Sequence, residues 1–128
     1  HKGLQDCLTW LETDNVAEYF RRSKIFLLCS INEGLSLASL EAMSCGVVPI
    51  VARCGDMEYS VNEGNGIIME QDAGVDDYVQ KLDRLLNDPI TLQKLSVAAR
   101  AEIEESHCFA VAEEKWRVLL NDIAPVQK

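Results

Sequence analysis

Glu33 and Glu41 stand eight positions apart in the run Ser30-Ile31-Asn32-Glu33-Gly34-Leu35-Ser36-Leu37-Ala38-Ser39-Leu40-Glu41-Ala42-Met43. An ionised glutamate offers two acceptor oxygens, which suits it to hydrogen bonds from adjacent sugar hydroxyls. The run reads as a strand-to-helix junction, and in open α/β sheets ligands bind at that edge. The backbone N–H groups of Gly34, Leu35, Ser36 and Leu37 lack helical partners there, and the helix dipole adds about half a positive charge. A pyrophosphate meets both conditions. A helical rise of about 1.5 Å per residue sets the two carboxylates up to about 12 Å apart, a span for a sugar at one end and a ribose at the other. Neither acid requires a metal. On spacing alone, a dipole-stabilising or solvated pair of surface glutamates is the competing reading.

The elements that must position this run follow from the apolar pattern. Ile25 to Cys29 is a continuous apolar stretch, as expected of a strand covered on both faces. Val47 to Ala52 and Gly66 to Met69 read the same way, and Cys7 to Leu11 is a weaker fourth strand. Asp14 or Asn15 can cap a short helix carrying Val16, Tyr19 and Phe20, ending near Ser23 with Arg21 and Arg22 at its negative end. The central helix is expected from Leu35 to Cys45, closed by a left-handed Gly46. A third runs from Val75 to Asn87, with Pro89 beyond it, and a fourth from Thr91 to Glu104. The last, from Ala110 to Ile123, places Ala112, Trp116, Leu119, Leu120 and Ile123 at helical spacing. Strands alternating with helices predict an α/β, Rossmann-like three-layer domain, with a parallel sheet of about four strands and helices on both faces.

The chain has 128 residues, 48% of them hydrophobic, which fits one domain with a real core. Its net charge of -9 argues against a nucleic-acid partner, because phosphate contacts need clustered Lys and Arg. The five cysteines form no C-x-x-C pair and mostly sit in apolar runs, so they are expected to be reduced and mostly buried, and the compartment cytoplasmic. No stretch approaches the roughly 20 apolar residues of a membrane span. A start at His1-Lys2 suggests a cut chain, with any targeting signal lying upstream.

From about Leu8 to Leu120 the sequence resembles the later part of the C-terminal domain of glycosyltransferase family 4, the retaining GT-B group. The resemblance rests on E-G-x-x-L-x-x-L-E-A-M from Glu33 to Met43, on Gly46-Val47-Val48-Pro49-Ile50-Val51-Ala52, on Gly55-Asp56-Met57-Glu58 with Val61, and on Glu63-Gly64-Asn65-Gly66-Ile67. It implies a nucleotide diphosphate sugar as donor, with no metal or other cofactor required. The residue matching Glu33 would contact the transferred sugar as a positioning group in the catalytic site. The residue matching Glu41 would hold the ribose hydroxyls, and the amides around Leu35, Ser36 and Leu37 would face sugar and diphosphate. Stabilising the departing diphosphate is a large part of such catalysis.

The resemblance also implies what residues 1–128 would lack. The family's Arg and Lys that neutralise the diphosphate come from the start of the same domain, and neither Lys24 nor Arg53 matches them. The acceptor, a saccharide or a lipid-linked sugar, would be bound through an N-terminal domain on the far side of the cleft. The chain is therefore expected to be a truncated donor-binding domain, inactive alone, of a parent that sits in the cytoplasm or peripherally at the inner membrane face. With strand order 3-2-1-4-5-6, Ile25 to Cys29 would become an exposed edge. A second copy is expected to cover it by edge pairing or strand exchange. Cys54 replaces the first glycine of the family's Gly-Gly pair, and its Cβ restricts backbone approach.

Cys29, Cys45 and Cys54 flank the site without a paired His, so core packing is expected of them over reactivity. His107 reads as a capping or surface group, Trp116 as core, and Asp76-Asp77, Glu104-Glu105 and Glu113-Glu114 as solvated helix faces. Glu58, three residues after Gly55, can cap the short helix from Asp56 or face the cleft, and the structural role is expected of it. The alternative function is a noncatalytic sugar-nucleotide-sensing or assembly domain that keeps the fold. A flavodoxin-like phosphate sensor lacks the expected aspartates at its strand ends. Donor base, sugar, acceptor and linkage are not encoded in these spacings.

Overall fold

A computed structural model describes Gly3 and residues 6–123. The elements run α1 (Val16–Arg22), β1 (Ile25–Leu28), α2 (Leu37–Ser44), β2 (Val48–Ala52), a 3-10 turn (Met57–Tyr59), β3 (Ile67–Met69), α3 (Val75–Leu86), α4 (Pro89–Glu102), a π-helical turn (Ile103–His107) and α5 (Phe109–Ile123). The three strands are parallel in the order β1-β2-β3. All five residues of β2 are buried, as its unbroken apolar sequence requires of a central strand covered on both faces.

Register decides which side chains share a face. Val51 lies between Leu28 and Ile68, and these pack with Met43 of α2, Ala99 of α4 and Ile103. On the other face Val48 partners Ile25 and Ile50 partners Ile67, against Tyr78, Leu82 and Leu85 of α3 and Leu92 and Leu95 of α4. Helix α4 thus joins both cores. It is tied to the α2–β2 turn by the Ser96 hydroxyl, which donates to the Gly46 carbonyl at 2.6 Å.

Gly46 takes a φ of +75°, and its N–H bonds the Met43 carbonyl, so the left-handed cap expected of it is present. At the other end α2 starts two residues later than its apolar pattern suggests. Ser36 stays extended and its hydroxyl accepts from the Ser39 N–H, so the cap falls at Ser36 and Leu35 stays outside the helix. Pro89 does not merely follow α3. It opens α4, where its missing N–H is not needed, behind an Asp88 cap. Donation from the Thr91 N–H and hydroxyl holds the Asp88 carboxyl below its ordinary range.

Several expectations fail on burial. The segment 7–11 is not a strand, so the sheet has three strands among the described residues. Leu8 and Trp10 are 71% and 95% exposed, because β1 forms no ladder on that side to receive a fourth strand. Leu27 is left partly open at the free β1 edge. Trp116 is not in the core. Helix α5 has no buried residue: it meets the turn at 103–107, and its apolar residues Trp116, Leu119, Leu120 and Ile123 stay exposed. His107 is only partly exposed, with Nε2 buried and 3.7 Å from the Glu102 carboxylate. Of the cysteines only Cys54 is buried. Cys7 and Cys29 are exposed, and Cys45 and Cys108 are intermediate, because they sit in turns and just past an element's end. All five are free thiols. Asp76, Asp77, Glu104, Glu105, Glu113 and Glu114 are solvated, as expected.

Candidate functional site

Parallel strands deliver their following loops to one edge of the sheet. The loops at 29–36, 53–56 and 70–74 therefore meet at the carboxyl ends of β1, β2 and β3. The first holds Glu33 and Gly34, which precede Ser36 and the first helical residue, Leu37. Glu33 is partly buried, and its Oε1 accepts from the Ser30 hydroxyl at 2.8 Å, which restrains the carboxylate toward its own loop. Among the described residues the amides of Gly34, Leu35, Ser36 and Leu37 have no hydrogen-bond acceptor, while the Ser39 amide is taken by Ser36. These four N–H groups, at the positive end of an eight-residue helix, favour an anion.

Glu41 is exposed on α2, one turn before its end. It lines a cavity of about 280 Å³ with Ser44 and with Asp14, Asn15, Val16 and Ala17 at the start of α1. Helix α1 is brought there by Phe20, whose ring meets Phe26 of β1 edge-on at 5.8 Å. The sequence offers Asp14 or Asn15 as the cap of α1. Asn15 is the N-cap, yet its side chain makes no capping hydrogen bond and its amide donates instead to the Glu18 carboxylate at 3.5 Å; Asp14 and Asn15 both line the cavity of Glu41. Nothing in the spacing of residues 14 and 41 signals this approach, which depends on how α1 lies against α2.

A second cavity, of about 400 Å³, adjoins the loop of Glu33 and is lined by Cys29, Ser30, Ile31, Gln71, Val75 and Tyr78 among others. Burial pushes the Tyr78 phenol up, and the neighbouring Cys29 thiol adds to the shift. Glu33 and Glu41 do not line a common cavity. A further hollow of about 350 Å³, with Lys81 and Arg84, lies by the amino end of β3, away from these loops.

No Lys or Arg lines the cavities beside Glu33 and Glu41. Arg53 stands at the right edge of the sheet, but its guanidinium is engaged by Glu58 and, at 3.0 and 3.1 Å, by both oxygens of Glu70. Glu58 makes this exposed ion pair and does not cap the short helix after Asp56, the role expected of it. Cys54 points its thiol into the core with Met43, Val51 and Met57. Among the described residues no cluster of three His, Cys, Asp or Glu could hold a metal ion, and no helix is long and apolar enough to cross a membrane. The arrangement offers fixed amide donors and carboxylate acceptors, a binding chemistry for an anion flanked by hydroxyls.

Known proteins resemble this chain in sequence and in fold. The family model described as "Glycosyl transferases group 1" matches residues 1–102. A D-inositol 3-phosphate glycosyltransferase of Streptomyces bingchenggensis is 31% identical over 91 residues, which are 71% of this chain and 20% of that protein. The fold is similar to sucrose-phosphate synthase from Thermosynechococcus elongatus, with a TM-score of 0.77 at 19% identity over 91% of this chain and 30% of the other. It is also similar to the C-terminal domain of a glycosyl transferase group 1 family protein from Francisella tularensis, with a TM-score of 0.70 at 23% identity, covering 80% of this chain and 53% of that domain. The chain spans about a fifth to a third of the length of the curated relatives it matches.

Proposed function

We propose, from the premise that this chain belongs to the glycosyl transferases group 1 family, that it is the donor-binding part of a sugar-transferring enzyme and takes a nucleotide diphosphate sugar. The observation that carries this reading is the row of four unpaired amides at 34–37 between Glu33 and Glu41. The diphosphate lies against those amides. Glu41 accepts from the ribose hydroxyls within its acidic cavity, and Glu33, restrained by Ser30, positions the transferred sugar. As the sugar leaves, the diphosphate gains charge, and pre-oriented N–H groups stabilise that charge more than they stabilise the ground state. Transfer to a saccharide or lipid-linked acceptor proceeds with retention at the anomeric carbon, and it needs the parts of the parent protein that supply the acceptor and further cations.

The lack of any Lys or Arg lining the cavities beside Glu33 and Glu41 favours a second reading for the chain by itself, a sugar-nucleotide-sensing or assembly domain without transfer. Turnover by the intact parent separates the two. Replacing Glu41 by Ala removes charge-assisted hydrogen bonds worth about 1.5–3 kcal/mol each. Nucleotide-sugar affinity of the intact protein, measured by calorimetry across common donors, is therefore expected to fall at least about tenfold. An unchanged affinity removes Glu41 from the ribose.

A further inference from the structure

Gly55 adopts a φ of +53°, a left-handed conformation strained for residues with a side chain. It also lies against the loop of Glu33. A Cβ added at Gly55 would sit 1.7 Å from the Glu33 carbonyl oxygen, 2.7 Å from its carbon and 3.1 Å from the Gly34 oxygen. These are backbone atoms, so a side chain at 55 cannot be absorbed by rotating a neighbour's side chain. The oxygen of Glu33 is nearer than its carbon, so that carbonyl is directed at Gly55. The peptide joining Glu33 to Gly34 is trans and planar, and its N–H points opposite to its C=O. The Gly34 N–H is therefore turned away from Gly55.

The Gly55 backbone has little room to retreat. Cys54 before it and Met57 after it are both buried in the core. Arg53 clasps Glu58 and Glu70, closing the same loop from outside. We propose that Gly55 is a positioning residue: by seating the Glu33 carbonyl it fixes the 33–34 peptide plane and presents the Gly34 N–H, and with it the Glu33 side chain, to the diphosphate sugar. The inference rests on the donor-site reading above. A flipped 33–34 peptide would place a carbonyl oxygen where an anion needs a donor, and the space left by the missing Cβ of Gly55 is what admits the unflipped plane. The family motif around Gly55 does not supply this role, which comes from the approach of two backbones.

The test uses the full chain, labelled with ¹⁵N and titrated with inorganic pyrophosphate, as wild type and as Gly55→Ala, Arg53→Ala and Gly74→Ala. Gly74 has no left-handed φ, and a Cβ there would meet only Asp77 at an ordinary 3.7 Å, so Gly74→Ala controls for the loss of a glycine. In Gly55→Ala the Gly34 amide resonance is expected to move before any ligand is added, and pyrophosphate affinity to fall at least about tenfold, as for loss of a charge-assisted hydrogen bond. Gly74→Ala should behave as wild type. If Gly55→Ala does not fold, Arg53→Ala decides, because it loses only exposed ion pairs yet loosens the same loop. It should shift the Gly34 amide and weaken pyrophosphate about threefold, within the range for a lost orienting contact. Wild-type affinity in the folded variant, or an unmoved Gly34 amide, overturns the proposal. A wild-type chain that binds no pyrophosphate shows that the amides at 34–37 do not hold the anion without the parent's further cations, which counts against the donor-site reading of this chain by itself, and the free-state Gly34 amide then decides alone whether Gly55 orients that peptide.

Discussion

Replacing Glu33 by Ala is expected to lower kcat of the intact protein about 10²-fold, the scale of misplacing a reacting group by about 1 Å. Nucleotide affinity should change little. The two effects separate because Glu33 stands on the 29–36 loop, hydrogen-bonded to Ser30, whereas Glu41 stands on α2 facing the start of α1. A group that orients only the transferred sugar acts on the chemical step, and a group that holds the nucleoside acts on ground state and transition state alike. Steady-state kinetics with a fixed acceptor checks this, and unaltered kcat refutes the assignment of Glu33 to the sugar.

Met43→Ala is expected to destabilise the chain by about 2–5 kcal/mol. Met43 is fully buried on the inner face of α2, among Val51, Cys54, Met57 and Ala99. It joins the helix that opens at the proposed diphosphate site to the central strand and to the turn that follows Gly55. Truncation leaves a cavity that the sheet below cannot fill, because β2 is held by ladders on both sides. Urea unfolding of the chain measures the loss. A change below about 1 kcal/mol would mean that the site collapses readily and that α2 is not braced as described.

The part of this fold that could be read in the sequence is the part governed by short-range rules. The apolar runs at 25–28, 48–52 and 67–69 are strands, and the central run at 48–52 is buried on both faces, where a parallel sheet tolerates no polar alternation. Gly46 closes α2 because a left-handed residue is needed there. The parts that could not be read depend on neighbours. Residues 7–11 look like a strand, but a strand exists only where a partner edge receives it. Trp116 lies on a regular helical stripe, yet a stripe does not say whether anything faces it. Val16, Tyr19 and Phe20 predicted α1, but only the Phe20–Phe26 contact shows why Asp14 and Asn15 come to Glu41.

The candidate site divides in the same way. Glu33, Gly34, Leu35, Ser36, Leu37 and Glu41 follow from their order and from a family motif; the first five lie in the loop and helix start after β1, and Glu41 lies within α2, one turn before its end. The apolar pattern starts the helix two residues early because Ser36 resembles any small polar residue in sequence, whereas in the fold its hydroxyl caps the Ser39 amide. Gly55 was visible as a motif glycine, whereas its pressure on the Glu33 carbonyl crosses more than twenty residues of sequence and needs coordinates.

A crystal structure of the intact protein with an unhydrolysed nucleotide diphosphate sugar tests the central claim most directly. The diphosphate should lie within hydrogen-bond distance of the amides at 34–37, with the ribose on Glu41 and the sugar on Glu33. A donor bound elsewhere, with those amides facing only solvent or the protein's own groups, would contradict it.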